Sequence, residues 1–187
     1  MTFKIFLLAL LSIFALPAMA LEYAIDPAHT YASFEVDHLG FSTQRGQFRH
    51  STGTLEFDRE ARSGSIDITI DASSLDTGLA LRDDVLRGEH WFNVAAFPVI
   101  MFRSERLVFD QERLVAVDGR LIMLGEIRPI RLEITRFKCG LNLASRKQSC
   151  GADAQGVLLR SDFGMQNSIP FIGDQVRLFI QVEAYLP

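Results

Sequence analysis

Beyond residue 20 the chain alternates apolar and polar residues with a period of two, the pattern of strands buried on one face. Ser65 to Asp71 shows it most plainly. Ile66, Ile68 and Ile70 fall on one side, and Ser65, Asp67, Thr69 and Asp71 on the other. Val176, Leu178, Ile180, Val182 and Ala184 likewise alternate with Gln175, Arg177, Phe179, Gln181 and Glu183. Ala32, Phe34, Val36 and His38 oppose Tyr31, Ser33, Glu35 and Asp37. Further strands are expected over 47–57, 99–109, 119–124, 128–137 and 152–161, which makes about eight in all. Turn-forming runs separate them: Asp58 to Gly64, Asp110-Gln111-Glu112, Asp118-Gly119, and Gly125 to Pro129.

The spacing predicts a single helix, Leu79 to Gly88. Leu81, Val85 and Leu86 would form its apolar side, Arg82, Asp83 and Asp84 its wet side, and Gly88 its C-terminal stop. One short helix cannot cover the apolar faces of so many strands. The sheet must therefore cover itself, as a barrel or a sandwich. Up-and-down pairing of successive strands favours the barrel: one all-β domain of eight antiparallel strands with one short helix. A barrel of that size is either filled by side chains or holds one small ligand.

The first twenty residues have a different character. Lys4 precedes an apolar run from Ile5 to Leu16, Pro17 breaks it, and Ala18-Met19-Ala20 offers small residues to a signal peptidase. The run is shorter than the about 20 residues a membrane span needs. The expectation is a signal peptide over residues 1–20, cleaved after Ala20, a folded domain over residues 21–187, and a periplasmic destination.

The formal net charge of −4 and the lack of a Lys/Arg cluster exclude a nucleic-acid partner. Cys139 and Cys150 sit in no CxxC motif. In an oxidising compartment they are expected to bridge, stapling a mobile, turn-rich loop from Gly140 to Ser149; two free thiols are the other reading. None of His29, His38, His50 and His90 lies in an HExxH motif or at metal-ligand spacing, and GxSxG, P-loop and GxGxxG motifs are absent. No catalytic residue, metal or cofactor is therefore expected. His38 runs in phase with Phe34 and Val36, so it either satisfies itself in the core or meets a ligand's head group.

Several motifs recur in a fixed order. They are Tyr23-Ala-Ile-Asp26-Pro-Ala-His29-Thr30, His38-Leu39-Gly40, Gly46-Gln-Phe48, Gly53-Thr-Leu-Glu-Phe57-Asp58 and Ser74-Leu-Asp76-Thr77. Then come Arg82-Asp83-Asp84-Val-Leu86-Arg87, Trp91-Phe92-Asn93, Phe97-Pro98, Phe102-Arg-Ser104, Gly119-Arg-Leu121 and Arg160-Ser-Asp162-Phe163-Gly164-Met165. In these the chain resembles the YceI-like family of exported polyisoprenoid-binding proteins. It departs from the family at Thr30, where serine is usual, at Asp84, and at Phe97, where tyrosine is common.

The resemblance implies a lipocalin-like barrel without shared catalytic residues. Its cavity would hold a long isoprenoid or similar amphiphile: a prenyl quinone, prenyl pyrophosphate, fatty acid or fatty amide. It also implies a homodimer and, for part of the family, a membrane partner of the cytochrome b561 type. Pattern and resemblance together place the ligand-binding wall at Ala32, Phe34, Val36, His38, Phe41, Phe48, Ile68, Ile70, Leu86, Trp91, Phe92, Phe97 and Phe102, with the helix at the mouth. Two alternatives stand beside this lipid carrier. One is an enzyme acting on such a lipid through His38. The other is a ligand-free barrel acting in envelope stress or adhesion.

Overall fold

Phe48 and Leu55 both need an inward position, yet they lie an odd number of residues apart, and one straight strand cannot turn both inward. The computed structural model, which describes residues 20–187, resolves the conflict by breaking the chain at Arg49-His50. The strand expected over 47–57 is in fact β3 (Ser42–Phe48) and β4 (Ser51–Asp58). Ser74 fixes the break: its Oγ accepts from the backbone N–H groups of Arg49 and His50, each at 3.1 Å. The expected signal peptide lies, except for Ala20, outside the described residues.

The remaining strands are β1 (Leu21–Ile25), β2 (Tyr31–His38), β5 (Ser63–Asp71), β6 (Leu75–Asp76), β7 (Val99–Asp110), β8 (Arg113–Met123), β9 (Glu126–Asn142), β10 (Lys147–Leu159) and β11 (Ile172–Tyr185). Neighbours pair antiparallel in the order β1-β4-β5-β7-β8-β9-β10-β11, and β1 pairs again with β11, so eight strands close into a barrel. The all-β barrel expected from the sequence is the fold observed. The strand β1 was missed in the sequence, and β8 and β9 run longer than expected. The β8–β9 turn is Leu124-Gly125, with φ of 54° and 80°, the mirror-image geometry of a two-residue hairpin. Pro129 is therefore already inside β9, opposite Arg120.

The strand β11 has two partners along one edge. Ala184 and Tyr185 face β1, whereas Ile172 to Gln181 face β2. The ribbon β2-β3-β6 thus continues the wall beyond β1 and makes the barrel deep. Two apolar clusters fill its levels. Tyr23, Ile25, Leu55, Phe57, Cys150 and Ala184 form the lower one, with Phe57 edge-on to Phe137 at 5.3 Å. Phe48, Ile70, Ile100, Phe102, Leu121 and Met123 belong to the upper one.

Cys139 and Cys150 are bonded, as expected, but not across a mobile loop. They oppose each other in register within the β9–β10 ladder, 4.0 Å apart at Cα, and the pairing continues past them to Asn142 and Lys147. Cys150 is buried in the lower cluster, so the bridge is core material as well as a cross-link. Replacing both cysteines by alanine should lower the unfolding free energy by roughly 2–3 kcal/mol from the lost chain constraint. Urea denaturation checks this, and an unchanged midpoint would contradict it.

Candidate functional site

The inward residues of the barrel leave a cavity of about 350 Å³, within the range of small-molecule sites. It reaches from His38 and Ile172 at the end bearing the β2–β3 turn down to Cys150 and Ala184. Along β11 that is Ile172 to Ala184, about 40 Å of strand at ~3.3 Å per residue. Strands of such a barrel tilt by about 35–45°, so the cavity is about 30 Å deep, and a small volume spread over that depth is a narrow tunnel, which fits a linear chain better than a compact molecule.

Aromatic side chains shape its upper half. Phe48 meets Phe92 edge-on at 5.2 Å and Phe34 at 6.0 Å. Two glycines make room for such rings. A Cβ on Gly46 would lie 2.5 Å from Cζ of Phe34, and one on Gly119 2.7 Å from the Phe102 ring. These are contacts no real side chain tolerates.

All the residues expected in the wall line this cavity except Phe41 and Phe97. Phe41 is 90% exposed in the β2–β3 turn, beyond the last inward position of β2. Phe97 turns instead to a separate polar cleft with Glu89, His90 and Asn93, its ring against Gly125. The sequence missed much of the far wall. Leu114, Leu121, Met123, Ile130 and Leu132 come from β8 and β9, and Leu158, Val176, Leu178 and Ile180 from β10 and β11. Their alternation was legible; in β8 and β9 the bulges opposite Val108/Phe109 and Asp153/Ala154 shift the phase of the inward face, whereas the lining side chains of β10 and β11 keep one parity throughout.

The helix α1 (Ala80–Arg87) stands where expected, with Gly88 after it, Leu86 against the core and Asp84 in water, but it is rotated about its axis from the expected pose. Asp83, expected in water, is only 7% exposed, while Leu81 is 76% exposed and Val85 also faces outward. Polar bonds win this contest. Asp83 Oδ1 accepts from the backbone N–H of Thr77 at 2.8 Å and from its hydroxyl at 2.5 Å. Arg82 donates to the Thr77 hydroxyl and carbonyl at 2.8 and 2.7 Å, and to the Gln44 side chain on β3. Arg87 donates to the carbonyls of Ser73 and Leu75 at 3.0 and 2.6 Å. Buried backbone carbonyls must find donors, and the helix supplies them to the strand before it.

This strapped helix carries Arg82, Val85 and Leu86 into the rim of the cavity. Across the rim Arg160 is 3% exposed and donates to the carbonyls of Gly173, Met165 and Ile172 at 2.8, 2.8 and 2.9 Å. Its guanidinium lies 5.3 Å from the centre of the Trp91 ring. Burial pulls the Arg160 guanidinium below its ordinary value, with Asp174 opposing that shift. Deeper in the wall, Ser51 Oγ is buried with no hydrogen-bond partner. Among the described residues no cluster of His, Cys, Asp and Glu is arranged to hold a metal ion.

The chain matches, over residues 23–184, a family model described as a YceI-like domain. It is similar to the Protein YceI of Salmonella arizonae, with 33% identity over 169 residues that cover 89% of this chain and 87% of the relative. Among solved structures it resembles BcnA of Burkholderia cenocepacia, with a TM-score of 0.71 and 21% identity over 86% of this chain and 99% of that one. It also resembles a polyisoprenoid binding domain from Saccharophagus degradans, with a TM-score of 0.68 and 16% identity over 89% of this chain and 99% of that one. At such identities these two structures establish a shared fold.

Asp83→Ala removes the acceptor that ties two Thr77 donors, at a local cost of roughly 1–3 kcal/mol. Trypsin should then cut the folded protein faster at Arg82 and Arg87; unchanged cleavage would mean the strap is not what holds the helix. Gly46→Val should displace the Phe34 ring into the cavity, destabilising the fold by about 1–3 kcal/mol in the manner of an overpacked core. A melting temperature equal to that of the parent would contradict the fit of glycine against ring.

Proposed function

Because the chain belongs to the YceI-like family, we propose that it is an exported carrier that holds one long isoprenoid or similar amphiphilic chain in the barrel. The observation that carries this reading is the narrow apolar tunnel, open at the α1 end and running down to the lower cluster. The polyisoprenoid binding domain from Saccharophagus degradans has the same fold and supports the reading.

The energetics agree. Burying a chain of about twenty carbons gains roughly 16 kcal/mol gross at ~0.8 kcal/mol per CH₂. Immobilising ligand and side chains offsets much of that. The surplus still allows micromolar binding without any polar contact. The apolar residues Leu39, Phe41, Leu79, Leu81 and Phe171 are exposed on the segments that surround the open end, so a lipid passing through it stays beside apolar surface.

Purification without detergent from a bacterial periplasm, followed by native and denaturing mass spectra, tests the proposal. The expected result is a discrete lipid mass lost on denaturation, on a protein whose N-terminus is Leu21. Prenyl quinones or fatty acids added at about a hundred times their dissociation constant should raise the melting temperature by roughly 5–10 °C. A ligand-free mass together with no thermal shift from either class would overturn the reading in favour of a barrel that acts through its surface.

A further inference from the structure

We infer that the open end of the cavity is a head-group site for an anionic amphiphile, one ending in a carboxylate or a phosphate, with Arg160 and Arg82 as its cations. This deepens the carrier reading and rests on it.

The first observation is the sign of the charge on the wall. Among the described residues the cavity is lined by Arg45, Arg82, Arg160 and His38 and by no aspartate or glutamate. The whole chain is nevertheless acidic, with a net charge of −4. Carboxylates are abundant elsewhere and excluded here.

The second is what the arginines touch. Arg45 is answered from outside the barrel by Glu35 at 2.6 Å. Arg82 and Arg160 make only neutral contacts. Arg82 donates to the Thr77 hydroxyl and carbonyl and to the Gln44 amide oxygen. Arg160 donates to three backbone carbonyls. The nearby acids are engaged elsewhere. Asp83 accepts from Thr77, and Asp174 accepts from the Ser161 N–H and hydroxyl at 2.9 and 2.7 Å. A buried cation hydrogen-bonded only to neutral oxygens, with Asp174 acting on it from a distance and not in an ion pair, is costly. An anionic head group would supply a counter-charge in direct contact.

The third is placement. Ile172, whose carbonyl holds Arg160, pairs with His38 on β2. Two residues further, Val36 pairs with Gln44, which holds Arg82. Both guanidinium groups therefore sit at the open end, above the apolar tunnel. Each guanidinium has five N–H donors, and three hydrogen bonds to protein leave each some donor capacity for a ligand oxygen. The existing bonds also fix the forks in place before the ligand arrives, which reduces the ordering cost of binding.

A set of probes sharing one tail isolates the head: dodecanoic acid, dodecyl phosphate and dodecanol. The emission of Trp91, the single tryptophan, reports binding because its ring lines the cavity beside Arg160. At pH 7.5 the acid, the phosphate or both should bind roughly tenfold or more tighter than the alcohol, as charge-assisted hydrogen bonds would require. Whichever anion binds tighter identifies the source of the charge.

Arg82→Gln keeps donors but loses the charge, and should shrink the anion-to-alcohol ratio severalfold; Arg82→Lys should restore part of it. Arg160→Lys tests the second cation without stripping every donor from the three carbonyls. Since both ligands are titrated on the same variant, a mouth that is merely damaged weakens both and leaves the ratio intact. Equal affinity of all three probes, or a ratio unmoved in Arg82→Gln and Arg160→Lys, overturns the anionic site and leaves the carrier standing. Failure of every probe to bind overturns both.

Discussion

Everything in this structure depends on the edge of β11, which is long enough to pair with two strands at once. Ala184 and Tyr185 bind β1 and close the ring. Residues Ile172 to Gln181 bind β2 and raise a second wall above it. Closure removes the exposed edges that would invite aggregation. It also forces every inward side chain into one shared interior. Had β11 stopped at its pairing with β1, the barrel would be shallow and its interior filled. The added height turns that interior into a tunnel.

The tunnel in turn decides where charge can stand. On the outer face of the barrel, arginines and acids pair freely across strands, as in Arg106–Asp118–Arg131 and Arg120–Glu105. Such exposed pairs contribute little each. Asp118 feels them all the same, its carboxyl held below the ordinary range first by Arg106 and then by Arg131. Inside, the same residue types are sorted. Among the described residues acids are absent from the lining, and two arginines at the open end hydrogen-bond only to neutral oxygens. The outside spends its charges on solubility and register. The inside concentrates one sign where the apolar tube meets water.

The barrel was legible in the sequence because alternation reports burial directly: Ile66, Ile68 and Ile70 sit where their parity puts them, and Ile70 pairs with Ile100 on β7. The break at Arg49-His50 was legible too, in the odd spacing of Phe48 and Leu55, but only to a reading that tracks phase instead of the density of apolar residues. The β1 strand escaped because its short run, Leu21–Ile25, abuts the expected cleavage site. Phe41 was misplaced because, three residues past His38, it stands just beyond the end of β2, where the chain has already turned. Arg82 and Arg160 each open a motif that carries the resemblance, but motif position alone does not tell a wall residue from a structural one. Their common place is visible only once the fold brings the α1 helix and the segment after β10 to the same opening.

The rotated helix shows why amphipathic pattern misled. A helix that clamped Leu81 and Val85 down over the barrel would fill the cavity with its own side chains and compete with any guest. Anchoring it by Asp83 to Thr77 and by Arg82 to Gln44 fixes it at the rim, with Leu86 against the core and Leu81 and Val85 left largely exposed. Hydrogen bonds are directional, so they hold the helix in one pose without the close packing that would close the tunnel. The exposed leucine and valine are then the consequence of keeping the interior vacant. A pattern of hydrophobic residues reports where burial is favourable. It cannot report that polar residues beside it will hold the helix in another pose by hydrogen bonds.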